Sequence, residues 1–340
     1  MNNWINIEKE RRVSIIEDLS RKLKLPSVAI EKDWWVTVVL KAVFSSPFAN
    51  HLSFKGGTSL SKCWNLIERF SEDVDIAIDR EFLGFIGELS KTQISDKLRR
   101  ASCSFVRETL KTEVEKQLSA LEIDNSLFDV KVNITPITTT DPEIIEVYYQ
   151  SIFSDTSYVQ SRVLIEVSGR SMNEPIENVR LSSIISQSLP NTSFEETPFS
   201  IRAVSPKRTF LEKACLLHEE FSKKETDIRC GRMSRHIYDL EKLMDTEIAK
   251  EAIADIELYK SVIEHRKKFI GLKDFDYSTL SPQTISFIPP TDIIPKWKED
   301  YESMQANMIY GSSLPFYKLI ERITDLNERF QKIKFTLDLK

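Results

Sequence analysis

The amino-acid sequence predicts a mixed α/β (α+β) chain, with a β-sheet domain flanked by helices over residues 1–204 and an all-helical domain over residues 205–340. Before residue 204, several segments rich in β-branched residues alternate in polarity and are bounded by turn residues. From Ser205 onward, the apolar residues recur at the helical period instead. At 340 residues the chain is long enough for two domains, each with its own core.

The first domain is predicted to begin with helices and to continue with strands. Two amphipathic helices are predicted over 7–24 and 28–45, and a charged helical stretch over about 90–121. The predicted strands are 51–54, 74–78, 128–137, 143–153 and 162–169, and two shorter segments, 179–186 and 199–204, extend the sheet.

The second domain is predicted to contain helices joined by one long connector. Ser205 and Pro206 form a good helix start, because serine caps helix N-termini and proline suits the first turn. The stretch 270–295 holds four prolines and is expected to be an ordered connector. The predicted helices lie near 206–223, 232–246, 249–268, 296–309 and 314–334.

Composition is typical of a soluble globular protein, with 41% hydrophobic and 29% charged residues. The polar start lacks the apolar stretch of a signal peptide, and the longest apolar run, 34–44, is too short to span a bilayer. The four cysteines are widely spaced, which argues against a zinc site or a disulfide scaffold. We therefore expect a cytoplasmic protein that does not span a membrane.

The charge of the chain gives little attraction to nucleic acid as a whole. The formal net charge is −5, so any contact with nucleic acid needs a local basic patch. Residues 205–235 carry eight Lys/Arg against five Asp/Glu and are one such patch. An ordinary charged helix face gives the same count.

The most informative segment runs from Phe54-Lys-Gly-Gly-Thr-Ser-Leu to Ser71-Glu-Asp-Val-Asp. Gly56 and Gly57 allow the backbone to approach a phosphate closely, and the following helix start adds N–H groups and the hydroxyls of Thr58 and Ser59. Ser71 is a further predicted nucleotide contact.

Two carboxylates follow on the next predicted strand. Asp73 and Asp75 are two residues apart, so their side chains share one face of the strand and suit Mg²⁺ (or Mn²⁺) with phosphate oxygens as further ligands. Glu166, in the apolar strand RVLIEV, is a candidate third metal ligand, or it pairs with Arg162 or Arg170. Each piece also occurs in ordinary structures, but the combination indicates nucleotidyl transfer.

In these motifs the sequence resembles the AbiEii/AbiGii nucleotidyltransferase toxins of toxin–antitoxin and abortive-infection (phage-defence) systems. The matching segments are Ile30–Trp35, Phe54–Leu60, Arg69–Asp75, Lys207–Lys213 with Leu217–Glu220, and Arg232–Leu240. The resemblance implies a nucleotidyltransferase fold and Mg²⁺-dependent transfer of NMP from an NTP, with release of pyrophosphate. It also implies the 3′ end of tRNA as acceptor, which blocks translation, and a cognate antitoxin as partner.

The resemblance also assigns roles to residues of the second domain. Lys213 matches the family's essential lysine and is expected near the NTP phosphates, and Asp239 matches its essential fourth-motif aspartate. Arg208 and Arg235 are expected to contact phosphate or sugar, and His236 the nucleotide. Where many members have Arg-Asp, this chain has Arg235-His236, which leaves the preferred NTP open.

The residues alone agree with these roles only in part. Lys207 and Arg208 fall in the first turn of a predicted helix, where the helix dipole disfavours cations, so they either face a phosphate or lie on a solvated helix face. The histidines have no spacing that suits a metal site. The aromatic residues Trp34, Trp35, Tyr148 and Tyr149 are interpreted as core rather than as base-stacking platforms.

Two other functions fit the same sequence. In the first, the chain is an enzyme that nucleotidylates a protein or a small molecule, because the metal motif does not encode the acceptor. It is otherwise a non-catalytic protein that binds an NTP or an antitoxin. The general base is left between Asp75 and Glu166, and the oligomeric state is not predicted.

Overall fold

A computed structural model describes residues 4–71, 73–133, 142–154 and 160–334. The chain divides into two compact units, unit one with Met1–Cys63 and Phe70–Val204, and unit two with Trp64–Arg69 and Ser205–Lys340. One division falls between Val204 and Ser205, and the segment Trp64–Arg69 groups with unit two rather than with its neighbours along the chain. Backbone pairing explains this: Arg69 forms a β-bridge with Ile309, and Tyr310 N donates to Glu68 O over 3.0 Å.

The predicted mixed sheet is confirmed and forms the centre of unit one. Within the described residues it has seven strands, β1 Leu52–Lys55, β2 Asp73–Ile78, β3 Phe128–Asn133, β4 Glu143–Tyr149, β5 Arg162–Ser168, β6 Ile176–Leu181 and β7 Phe199–Val204. Their order is β3-β4-β5-β2-β1-β7-β6, in which β2–β5 and β1–β7 are parallel and the other neighbours antiparallel. Residues 134–137, predicted to extend β3, lie outside the described residues.

Six helices are described in unit one. They are α1 Lys9–Leu23, α2 Ser27–Phe44, α3 Gly56–Lys62, α4 Arg99–Phe105, α5 Lys111–Ala120 and α6 Ile184–Ser188. The π-helical turns Gln93–Leu98 and Val106–Leu110 join α4 and α5 into the predicted charged helical stretch. The strand predicted over 179–186 is wrong at its end, because Ser183 caps α6 by accepting a hydrogen bond from Ser186 N.

The two faces of the sheet differ because side chains alternate along each strand. Phe54, Ile76 and Val167 lie side by side on one face and are at most 1% exposed. Helix α2 packs with β5, and α5 packs with β3. On the other face, Asp73 and Asp75 of β2 and Glu166 of β5 are half-buried, and this face is more polar.

Helix α2 is buried nearly all round, including polar residues such as Glu31 and Asp33, which anchor other parts of unit one. Glu31 accepts a hydrogen bond from Ile152 N over 2.9 Å, and Asp33 accepts one from Ile184 N over 2.8 Å. Asp33 also forms an ion pair with Lys62 of α3. The segment Ile30–Trp35, which carries part of the family resemblance, therefore holds the helices and loops of this unit together.

Unit two is helical, as predicted. Its helices are α7 Pro206–Phe221, α8 Ser234–Leu243, α9 Glu247–Ala254, α10 Ile256–His265, α11 Ile294–Asn307 and α12 Phe316–Gln331. The single helix predicted over 249–268 is wrong, because Asp255 breaks it and caps α10 by accepting from Leu258 N. Among the described helices, none combines the length and apolarity that crossing a membrane requires.

Candidate active site

In unit one, the β2 carboxylates and the start of α3 lie together. Lys55, the last residue of β1, is the register partner of Asp75, so Gly56 begins α3 beside that carboxylate. Gly56 has φ +80°, and a Cβ placed on it would lie 1.9 Å from Asp75 Oδ2. The Asp75 carboxylate therefore packs directly against the glycine backbone, and a larger residue at position 56 would displace it.

The hydroxyl groups after the glycine turn are used within the protein. Thr58 is 3% exposed and donates to the backbone O of Asp73, and Ser59 is fully buried and donates to Gly56 O over 2.8 Å. These bonds shape the turn and connect α3 with β2. A direct contact of either hydroxyl, or of Gly57, with a nucleotide stays a prediction.

Glu166 lies beside Asp75 on the same face of the sheet. The two residues are register partners in the parallel pair β2–β5, and both are half-buried. Arg162, one of the two partners suggested for Glu166, donates instead to Glu146 over 2.7 Å. Ser71, just before β2, is 9% exposed.

Carboxylate oxygens are the ligands that hard divalent cations prefer, and those of Asp73 and Asp75 lie on one face of β2. The backbone of Gly56 packs against the Asp75 carboxylate and holds it in place. Across the described residues, however, no three His, Cys, Asp or Glu side chains are gathered into a set that could hold a metal ion. The donor chemistry of Asp73 and Asp75 fits a divalent cation, and Glu166 as a third ligand stays a prediction.

In unit two, Asp239 is the centre of a buried ionic cluster. It is fully buried. Its Oδ1 accepts from Arg69 Nε over 2.6 Å, and its Oδ2 accepts from Arg69 Nη2 over 2.7 Å and lies 2.8 Å from Lys213 Nζ. Burial acts to raise the pKa of Asp239, but Arg69 and Lys213 outweigh burial and hold that pKa below its usual value. Asp239 is therefore a charged residue that positions Lys213.

His236 extends this cluster from the first turn of α8. Lys213 Nζ lies 3.4 Å from His236 Nδ1. Burial, and then the charges of Lys213 and Arg235, lower the pKa of His236 well below its usual value. Because the ammonium can only donate, the neutral imidazole accepts at Nδ1, and we assign its proton to Nε2.

The two arginines with an expected nucleotide contact differ in burial. Arg208 is fully buried, and its Nε donates to Glu212 over 2.9 Å. A fully buried guanidinium would need a rearrangement to reach a bound nucleotide, so the direct contact stays a prediction. Arg235 is half-buried on α8, next to His236.

Sequence reasoning missed the role of Arg69. This residue opens one of the segments that carry the resemblance, but its partner Asp239 is 170 positions away. From the sequence one could infer only that a buried Asp239 needs a basic partner, and many basic residues of the chain could have been that partner.

A sequence model of the family described as "Nucleotidyl transferase AbiEii toxin, Type IV TA system" matches residues 38–333. The match contains both aspartates of β2 and the whole Arg69–Lys213–Asp239 cluster. No curated protein matches the chain.

Proposed function

This chain belongs to the AbiEii family of nucleotidyl transferase toxins of type IV toxin–antitoxin systems, and we propose that it transfers NMP from an NTP to the 3′ end of tRNA in a Mg²⁺-dependent reaction. Family membership implies nucleotide transfer, toxicity and an antitoxin partner. The acceptor, the metal and the site residues are our proposal. The observation that carries it is the packing of the Asp75 carboxylate against Gly56, at the junction of β1 and α3.

We propose that Asp73 and Asp75 hold the metal, with Glu166 beside them. When bound, a divalent cation offsets the negative charge of the NTP phosphates. Thr58 supports the geometry by tying α3 to the backbone of Asp73. The backbone of Gly56 and Gly57 would lie close to phosphate, because no side chain intervenes there.

Lys213 is proposed to neutralise charge on the departing pyrophosphate. Its ammonium is held by Asp239 over 2.8 Å, and Arg69 holds Asp239 in turn. Burial lowers the pKa of Lys213, and the adjacent Asp239 carboxylate opposes this effect by favouring the ammonium form. The Nε2–H of His236 is a suitable donor to the nucleotide.

In the proposed reaction, the 3′-hydroxyl oxygen forms a bond to the α-phosphorus, and the bond from that phosphorus to the pyrophosphate oxygen breaks. The hydroxyl proton is transferred to a base. Asp75 and Glu166, which are register partners on neighbouring strands, are the two candidates for that base. Each AMP, CMP, GMP or UMP unit transferred thus releases one pyrophosphate.

Incubation of the protein with each α-labelled NTP and total RNA, total protein or small metabolites tests the proposal. We expect the wild-type protein to label tRNA and to be toxic on expression. Asp73→Asn and Asp75→Asn should each abolish both the labelling and the toxicity. Asp79→Asn is the matched control, because Asp79 follows the same strand and binds Glu81 N. Label on protein or on metabolites, instead of on tRNA, would show that the acceptor is a different molecule. Full transfer by a folded Asp73→Asn/Asp75→Asn protein would refute the proposed site.

A further inference from the structure

The polar face of the sheet carries an aromatic residue that the reaction above does not use. Of four aromatics interpreted as core, Trp34, Trp35 and Tyr149 are buried, at 1%, 2% and 7% exposure. Tyr148 is half-buried instead. It lies on β4, at a position that faces the same side of the sheet as Asp73 and Glu166.

Two cations and one carboxylate surround Tyr148. Lys131 Nζ lies 5.1 Å and Arg162 Cζ 6.0 Å from the ring centroid. The Tyr148 hydroxyl donates to Glu146 Oε2 over 2.8 Å, and Arg162 Nη1 donates to Glu146 Oε1 over 2.7 Å. Glu146, whose side chain is 12% exposed, therefore holds the tyrosine and the arginine in fixed positions.

Lys131 and Arg162 each have an acidic partner, but both can still contact a bound anion. Lys131 also pairs with Asp129 over 2.7 Å, and both side chains are about 60% exposed, at 61% and 59%, so this pair is weak in water. The bonds of Arg162 to Glu146 and to the Tyr148 hydroxyl both use Nη1, out of five N–H donors on a guanidinium.

The register gives the spacing between this group and the carboxylates. Tyr148 pairs with Arg162, and Leu164, two residues later on β5, pairs with Asp73. Two strand spacings of ~4.8 Å and two residues of ~3.3 Å separate Tyr148 from Asp73, which gives roughly 12 Å. A helical strand of nucleic acid rises ~3.4 Å per nucleotide, so this distance corresponds to about three nucleotides.

We propose that Tyr148, Arg162 and Lys131 form a subsite for single-stranded polynucleotide that holds the acceptor strand a few nucleotides before its reacting 3′ end. A base stacks on Tyr148, and its flanking phosphates contact Arg162 and Lys131. Aromatic residues on an open sheet face, with cations beside them, bind single strands in this way. The inference rests on the proposed function, because it assumes an RNA acceptor.

Steady-state transfer to tRNA, with tRNA and NTP varied separately, tests the subsite. Tyr148→Leu is expected to raise the KM for tRNA about tenfold, as for the loss of one base–aromatic stack, with the KM for NTP unchanged. Tyr148→Phe keeps the ring but loses the bond to Glu146, so its KM for tRNA is expected to rise much less than that of Tyr148→Leu. Arg162→Gln is expected to lower the slope of log affinity against log salt by about 1.

Tyr317→Leu is the control, because Tyr317 is 61% exposed and lies on α12 of unit two. Thermal unfolding of each variant excludes loss of the fold. If wild type labels tRNA and Tyr148→Leu has an unchanged KM for tRNA, the subsite is refuted alone. Equal losses in Tyr148→Leu and Tyr148→Phe, affecting the KM for NTP as well, would make Tyr148 structural and also refute it. If wild type labels no RNA, the proposed acceptor fails first.

Discussion

Asp239 shows how a single buried carboxylate controls two cations. Its oxygens contact both Arg69 and Lys213, and the side chains of all three are at most 8% exposed. The carboxylate offsets two charges that burial would otherwise leave uncompensated. Asp239 has no exposed surface, which supports a positioning role for it through Lys213.

We expect Asp239→Asn to lower the free energy of unfolding by about 3–5 kcal/mol, because it leaves the guanidinium and the ammonium buried without a counter-charge. Urea unfolding measures the loss. Asp245→Asn is the matched control: Asp245 also contacts two arginines, Arg322 and Arg329, but its side chain is 54% exposed. Its loss is expected to stay below about 1 kcal/mol. Equal losses in the two variants would contradict the role of burial.

His218 joins α7 to the connector between α10 and α11. Ser286 N donates to its Nδ1 over 2.9 Å, and its Nε2 lies 2.9 Å from Thr279 Oγ1. Burial lowers the pKa of His218, although the Ser286 carbonyl oxygen, 3.1 Å from Nδ1, and the charge of Glu219 oppose this effect. The histidine is therefore held neutral, with its proton on Nε2.

This lowered pKa predicts a pH dependence of stability. The unfolded chain binds a proton near the ordinary value of about 6.5, whereas the folded chain does not, so stability is fully present above about pH 6.5 and falls as the pH drops toward the lowered pKa. We expect His218→Gln to reduce the difference in unfolding free energy between about pH 7.5 and pH 5.5. His51→Gln, at a side chain 41% exposed, serves as the control and should leave that difference nearly unchanged.

At the scale of elements, the junction of β1 and α3 depends on one glycine. Gly56 combines a left-handed backbone with a contact that leaves no room for a Cβ beside Asp75. Gly84 has a similar φ of +85°, but nothing lies within 4 Å of its Cβ position. Comparing substitutions at Gly56 and Gly84 therefore distinguishes the cost of backbone strain from the effect of displacing the Asp75 carboxylate.

Gly56→Ala and Gly84→Ala should each lose roughly 1–2 kcal/mol of stability from the left-handed backbone. Only Gly56→Ala should also lose activity, by about a hundredfold, because displacement of a catalytic group by about 1 Å has that effect. Rates of nucleotidyl transfer and urea unfolding, measured on both variants, separate the two effects. Equal activity of the two would show that the contact with Asp75 does not matter.

At the scale of the whole molecule, a bound divalent cation should stabilise the folded chain, because it binds the native state and not the unfolded one. At a Mg²⁺ concentration 100 times its Kd, the gain is about 2.7 kcal/mol. We expect the unfolding temperature to rise with Mg²⁺ or Mn²⁺ and to return to its starting value with a chelator.

Asp73→Asn and Asp75→Asn should abolish this shift, while Asp79→Asn should retain it. Glu166→Gln decides whether the third carboxylate takes part, since a ligand would weaken the shift and a bystander would not. A shift of wild-type size in Asp73→Asn/Asp75→Asn would place the cation elsewhere.

Much of the fold could be predicted because its causes are local. Alternation of apolar and polar residues indicated the sheet, and the spacing of Asp73 and Asp75 put both on one face of β2. The errors also have local causes. Leu181, Ile184 and Ile185 are equally compatible with a strand and with a strand followed by a helix, so the prediction over 179–186 missed the start of α6.

The sequence by itself determined the sheet, the helical second half, the shared face of the two aspartates and the family to which the chain belongs. The tertiary structure decided which charged residues of different elements meet, such as Arg69 with Asp239 and Arg162 with Glu146. Periodicity acts over a few residues, whereas the choice of partner for a buried charge depends on segments far apart in the chain. For that reason only the folded chain shows that Trp64–Arg69, between two strands of unit one, is part of unit two.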